Sequence, residues 1–230
     1  MALHYYNKDL CRIRTITTFL SLTEDKTSWK KHILKASRFC AELSNTFVEN
    51  GYVVQSVRIV TNPFGEYLNT ASLESAREDL AYLSGLLNSS DLAGIRIRFA
   101  IGEARTQDEI HLLPELVKEF GDLCNACVNV DLDDAGLLDN TSIRYAAEAV
   151  SEISRITPRG EGNFNFTVNF NCEPLIPYFP AGYHRNALGD RFVVGLETPD
   201  LLVEALKAFN RNTAARTHND RFKGYYEVMR

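Results

Sequence analysis

Phe164-Asn165-Phe166-Thr167-Val168-Asn169-Phe170 alternates apolar and polar side chains without a break. Successive residues of a strand face opposite sides of a sheet, so this stretch predicts a β-strand with one apolar and one polar face. Four earlier segments carry the same signature. In 11–22, Ile13, Thr15, Thr17 and Phe19 alternate with Arg12, Arg14, Ile16 and Thr18. In 53–60, Val57 and Ile59 flank Arg58, and in 95–101, Ile95, Ile97, Phe99 and Ile101 flank Arg96, Arg98 and Ala100. In 127–132, Val128, Val130 and Leu132 stand against Asn129 and Asp131. A sixth strand is expected over 192–196.

Between these strands the apolar period lengthens to that of a helix. From about residue 27, Trp29, Ile33, Ala36, Cys40, Leu43 and Phe47 share one helical face, and Gly51 is placed to end it. A second helix is expected over 72–88. Thr106 and Glu109 have capping-box spacing, Asn140 is the expected cap of the next helix, and Thr198-Pro199 opens the last. Strands that alternate with helices imply right-handed crossovers and a mainly parallel sheet. Parallel strands covered by helices on both faces read as continuous apolar runs, and these do not. The expected fold class is therefore α/β, its mainly parallel sheet forming a barrel or half-barrel with a polar inner face. The plainer alternative is a sheet whose polar face meets solvent or another subunit. Residues 1–210 read as one domain, and 211–230 as a polar, basic tail or docking segment.

The composition permits a sizeable core and excludes wholesale disorder, with 45% hydrophobic and 24% charged residues among 230. Twenty-five Lys and Arg against thirty Asp and Glu give a net charge of −5, which argues against nucleic acid or an anionic membrane as the main partner. No apolar run approaches the roughly 18 residues of a membrane span. Five scattered cysteines suit reduced thiols, so a cytoplasmic location is expected. Cys124-Asn125-Ala126-Cys127 runs into a strand rather than opening a helix, which favours structural thiols over a redox pair. Gly160-Glu161-Gly162 lacks the third glycine of a dinucleotide loop, and neither a P-loop nor a GxSxG elbow occurs.

Ligands of parallel α/β sheets bind at the carboxyl ends of the strands. Asn62, Glu103, Asp131, Asp133, Asn171 and Glu197 fall there. The connection over 171–191 shows no helical period and carries three prolines, which suits a preorganised wall or lid. Within it His184 is the best general acid/base candidate, its ordinary pKa being about 6.5, with Glu103 or Glu197 sharing the work. Cys172 would be a nucleophile only with a base such as His184 beside it. Arg14 and Arg58, with Arg98 near them, are expected to fix an anionic substrate, helped by Asn62, Asn171, Tyr178 and Tyr183. Asp131 and Asp133 are candidate oxygen ligands for Mg²⁺ or Mn²⁺, although no EF-hand or zinc spacing supports them.

The expected function is a cytosolic enzyme acting on a small polar or anionic metabolite by acid/base chemistry, of lyase, isomerase or hydrolase type. No redox-cofactor signature is present. The alternative is a non-catalytic ligand-binding or assembly subunit that pairs through its polar sheet face. The expected partners are a small-molecule ligand and a second copy or completing subunit, with no nucleic acid and no membrane.

Several segments together resemble the DUF711 (UPF0210) family. They are Arg14-Thr15-Ile16-Thr17, the stretch from Arg58 to Pro63, Gly195-Leu196-Glu197, and the most specific piece, Asn171-Cys172-Glu173-Pro174-Leu175-Ile176-Pro177-Tyr178-Phe179-Pro180-Ala181-Gly182-Tyr183-His184. The resemblance implies a fold rather than a reaction. That fold is similar to the barrel of glycyl-radical enzymes, ten strands in two five-stranded halves, with this sequence corresponding to the N-terminal portion. No Arg-Val-x-Gly-aromatic motif occurs, so glycyl-radical chemistry is not implied.

Overall fold

The computed structural model describes residues 7–89, 92, 96–185, 191–212 and 218–229. Its single six-stranded sheet contains β1 (Arg12–Leu20), β2 (Val57–Thr61), β3 (Ile97–Ala104), β4 (Asn125–Val130), β5 (Phe166–Phe170) and β6 (Arg191–Glu197). The order is β5-β4-β3-β2-β1-β6, with β1 to β5 parallel and β6 antiparallel to β1. Helices α1 (Trp29–Glu49), α2 (Leu73–Leu87), α3 (Gln107–Phe120) and α4 (Asn140–Ile156) connect the parallel strands. Each crossover steps to the next strand in the same direction, so right-handedness puts all four helices on one face. The result is a half-barrel, helices outside and the other face open.

The main core lies between the helices and the sheet. Trp29, Ile33, Leu80, Leu83, Leu113 and Ile153 from the helices meet Leu20, Ile59, Phe99, Ile101 and Val128 from the strands. Trp29 is fully buried, donates Nε1–H to the Thr23 carbonyl at 2.6 Å, and stands edge-on to Tyr67. The capping box of Thr106 and Glu109 forms as its spacing predicts, and Gly121, at φ +50°, ends α3. The cap of α4 is one residue earlier than expected. Asp139, not Asn140, accepts from the Thr141 and Ser142 amides, because a carboxylate also meets the positive end of the helix.

A period of two does not reveal strand direction, and β6 shows it. The connection from β5 to β6 contains no described helix, and its ends lie at opposite edges of the sheet. With one face filled by helices, the described part of that connection, 171–185, lies across the open face. Thr17 Oγ1 donates to the Pro177 carbonyl at 3.4 Å, and Asn169 Nδ2 to that of Ala181 at 3.2 Å. Leu175 and Phe179 pack on Phe19, Val60 and Ala100. The segment is a strap that fills the middle of the half-barrel, which answers the need to satisfy buried Thr17 and Asn169. After β6 come α5 (Pro199–Asn212) and α6 (His218–Met229). The 211–230 segment is thus helical over α6, which packs on α5 through Phe209 and Tyr225.

Candidate functional site

Strict alternation along β3 puts Arg98 and Ala100 on the open face and would turn Glu103 toward the helices. It does not. A bulge lies between Ala100 and Gly102, where two steps of β3 oppose one step of β4. One extra residue exchanges the faces beyond it, so Ala104 joins the helix-side core and Glu103 reaches the open face. Gly102 permits this at φ +85°, packed against the backbone of Thr61 and Asn62.

Glu103 is 4% exposed and both of its oxygens are held. Arg105 Nε donates to Oε1 at 2.9 Å and Asn129 Nδ2 to Oε2 at 2.7 Å. The network continues both ways along the rim. Asn169 Nδ2 donates to Asn129 Oδ1 at 2.8 Å. On the other side Arg105 Nη1 donates to Glu66 Oε1 at 2.8 Å, and Asn62 Nδ2 to Glu66 Oε2 at 2.8 Å. Asn62 also accepts from the Leu22 amide and donates to the Leu22 carbonyl, tying the end of β1 to that of β2. One polar chain therefore spans the carboxyl ends of all five parallel strands.

Over it opens a cleft of about 660 Å³ between the ends of β3 and β4, lined by Glu103, Arg105, Asn129, Asp131, Asp133 and Arg185 among others. Arg185 Nη2 donates to Asp131 Oδ2 at 2.9 Å, with both side chains about half exposed. Partial burial works against the charge of Arg185, but Glu103 and Asp131 outweigh it and hold its pKa above the ordinary value. The cleft thus offers a buried carboxylate flanked by two arginines. That set can move a proton and grip an anion.

The expected site residues separate into groups. Glu103, Asp131 and Asp133 line the cleft, and Asn62 belongs to the network beneath it. Asp131 is paired with Arg185, and Asp133 Oδ1 accepts from the Ala135 and Leu137 amides. Asp131 and Asp133, the pair expected to hold Mg²⁺ or Mn²⁺, are thus each engaged by protein groups, and among the described residues no three His, Cys, Asp or Glu side chains gather as a metal site. Glu197 stands opposite Arg12 at the amino end of β1, because β6 runs antiparallel. That removes it from Glu103. Arg14 and Arg58 lie toward the amino ends of their strands, and neither lines the cleft. Asn171, at φ +43°, and Tyr178, 62% exposed, lie on the strap outside the cleft. Arg105, Asn129, Asn169 and Arg185 complete the site. The two asparagines were visible as polar-face residues, whereas the arginines had no signal beyond proximity to Glu103 and His184.

His184 is fully buried, with Nδ1 at 2.9 Å from the Arg185 carbonyl and Nε2 at 3.0 Å from that of Leu20. Neither nitrogen faces the cleft. The ring stands edge-on to Phe19 and fastens the strap to β1. Tyr183 does similar work, its hydroxyl donating to the Cys172 carbonyl. Cys172 Sγ meets the Phe170 carbonyl at 3.3 Å, not His184. Burial pushes the Cys124 and Cys127 thiols well up, which makes them inert, and they form no disulfide.

Burial lowers the pKa of His184, against the opposing pull of the Leu20 and Arg185 carbonyls and then of Glu66 and Glu103. A base with a depressed folded pKa binds more protons when unfolded. Its contribution to stability is full above the unfolded value of about 6.5 and is lost as pH falls below it. Urea midpoints are expected to drop between about pH 7 and pH 5, and His184→Gln should flatten that interval. An equal drop in the variant would refute the assignment.

A family model described as Uncharacterised ACR (DUF711) matches residues 5–228. The chain belongs to the DUF711 family. No curated protein matches it. The match spans every strand of the DUF711 half-barrel, the rim network and the strap that crosses it. No described helix of this DUF711 chain is long and apolar enough to cross a membrane.

Proposed function

We propose that this DUF711 chain is an enzyme that acts on a small anionic metabolite by acid/base chemistry, of lyase, isomerase or hydrolase type. The observation that carries it is Glu103, buried at the floor of a polar cleft and turned there by the Gly102 bulge. A carboxylate has about four acceptor sites, so two hydrogen bonds leave room to take or return a substrate proton. Arg185 is the anion anchor, since a ligand carboxylate can displace its half-exposed partner Asp131. Arg105 orients Glu103, and Asn129, itself held by Asn169, donates to the opposite oxygen. Five unpaired thiols suit a cytoplasmic setting.

Assembly through the polar face, the alternative reading, has less surface to work with because the strap lies across it. A thermal-shift screen of carboxylate metabolites, each hit then followed by NMR for conversion, tests the proposal. At least one hit should be consumed, and Arg185→Ala should weaken its binding about tenfold or more. A library without hits, or hits insensitive to Arg185→Ala, would contradict it.

A further inference from the structure

The open face carries a second polar cluster that the cleft does not use. Arg58 and Arg98 are register partners on β2 and β3, so their side chains leave the same face from backbones about 4.8 Å apart. Arg58 is 7% exposed. Its Nε donates to Ser56 Oγ at 3.3 Å, and its guanidinium lies 5.0 Å from the centre of the Phe179 ring. Arg98 is exposed and makes no hydrogen bond or ion pair among the described residues. Arg14 flanks the pair, donating to Gln55 Oε1 at 2.6 Å and standing 4.0 Å from Glu197 Oε2. Among the described residues no carboxylate lies within 4.0 Å of Arg58 or Arg98.

Neighbouring cations without a counter-ion repel one another, and the burial of Arg58 withholds the water that would screen its charge. Burial accordingly pushes the Arg58 pKa down, and Arg98 and then Arg14 push it the same way. The nearby hydroxyls are already engaged. Ser56 Oγ donates to the Arg14 carbonyl, and Thr17 Oγ1 contacts Thr15 Oγ1 and the Pro177 carbonyl. The charged donors of this patch are the guanidinium N–H groups. Phe19, Val60 and Ala100, covered by Leu175 and Phe179, occupy the face beyond it toward the carboxyl ends.

We propose that Arg58 and Arg98, flanked by Arg14, form a binding site for a phosphoryl dianion, separate from the Glu103 cleft. Two unpaired cations call for two negative charges on the ligand. The arginine fork matches a phosphoryl group bidentately, and the Phe179 ring fixes the Arg58 plane beforehand. A monocarboxylate would leave one cation uncompensated.

Calorimetric titration of the full chain with inorganic phosphate at fixed ionic strength tests this, with malonate as the dicarboxylate control. Saturable binding of phosphate, tighter than of malonate, is expected. Arg98→Gln should weaken it at least tenfold, and because that side chain is exposed the variant should fold. Arg58→Gln should do the same where it folds. Glu103→Gln should leave the phosphate affinity unchanged, which separates this site from the cleft. No saturable phosphate binding, an unaltered affinity in Arg98→Gln, or malonate binding tighter than phosphate would each overturn the proposal.

Discussion

Glu103→Gln is expected to bind the metabolite nearly as well as the parent chain and to convert it about 10²–10⁴-fold more slowly, the usual contribution of a positioned acid or base. The substitution preserves volume and one acceptor for Arg105. It also places an amide N–H₂ against Asn129 Nδ2, which now donates to Oε2 at 2.7 Å. Asn129 cannot simply flip, because its Oδ1 accepts from Asn169 at 2.8 Å. A stability cost of about 1–2 kcal/mol follows from the donor facing a donor. That is a minor part of the 5–15 kcal/mol typical of a domain, so the variant should remain folded. Conversion and affinity measured on the same preparation, with a circular dichroism melt beside them, separate lost chemistry from lost structure. Turnover within a few-fold of the parent would remove Glu103 from the reaction.

Gly102→Ala is expected to damage both stability and site. Its φ of +85° is one that side-chain-bearing residues rarely adopt. A Cβ there would stand 2.5 Å from the Asn62 carbonyl oxygen and 2.7 Å from that of Thr61, both backbone atoms that no rotamer change can move. Backbone strain of this kind costs about 1–3 kcal/mol, and the collision adds to it. For a chain of this size each kcal/mol shifts the thermal midpoint by about 2–4 °C, so a fall of roughly 5 °C or more is expected. Relief of the strain would straighten the bulge and turn Glu103 away from Asn129, so conversion should fall with stability. A midpoint within about 1 °C of the parent would show that the bulge tolerates a side chain.

The half-barrel was legible because five strands repeat one polar and one apolar face, a pattern that two covering helix layers would not leave. The helix starts were legible where side-chain oxygens meet orphan amides, as at Thr106. At α4 the choice between adjacent acceptors, Asp139 and Asn140, turned on charge. The direction of β6 was hidden, since alternation is identical in parallel and antiparallel strands, and with it went the placement of Glu197. Glu103 was found by its position near a strand end, yet alternation alone assigns it to the wrong face. Only cross-strand register exposes the bulge that corrects it.

The prolines and aromatics of the 171–191 connection mark it in sequence as a preorganised wall. The course of its described part, 171–185, across the open face depends on β5 and β6 lying at opposite edges, which no local pattern encodes. That course is also why His184 becomes a fastener. A histidine whose two nitrogens sit at 2.9 and 3.0 Å from main-chain carbonyls resembles, in sequence, one that faces a substrate.

The most direct measurement is a crystal structure of Glu103→Gln with a converted metabolite bound, since the variant should hold substrate while consuming it far more slowly. The half-barrel site predicts the ligand between the ends of β3 and β4, its reacting carbon within about 3–3.5 Å of the side chain at 103 and its anionic group on Arg185 in place of Asp131. A ligand bound elsewhere, with the Arg185–Asp131 pair intact and the cleft empty, would contradict it.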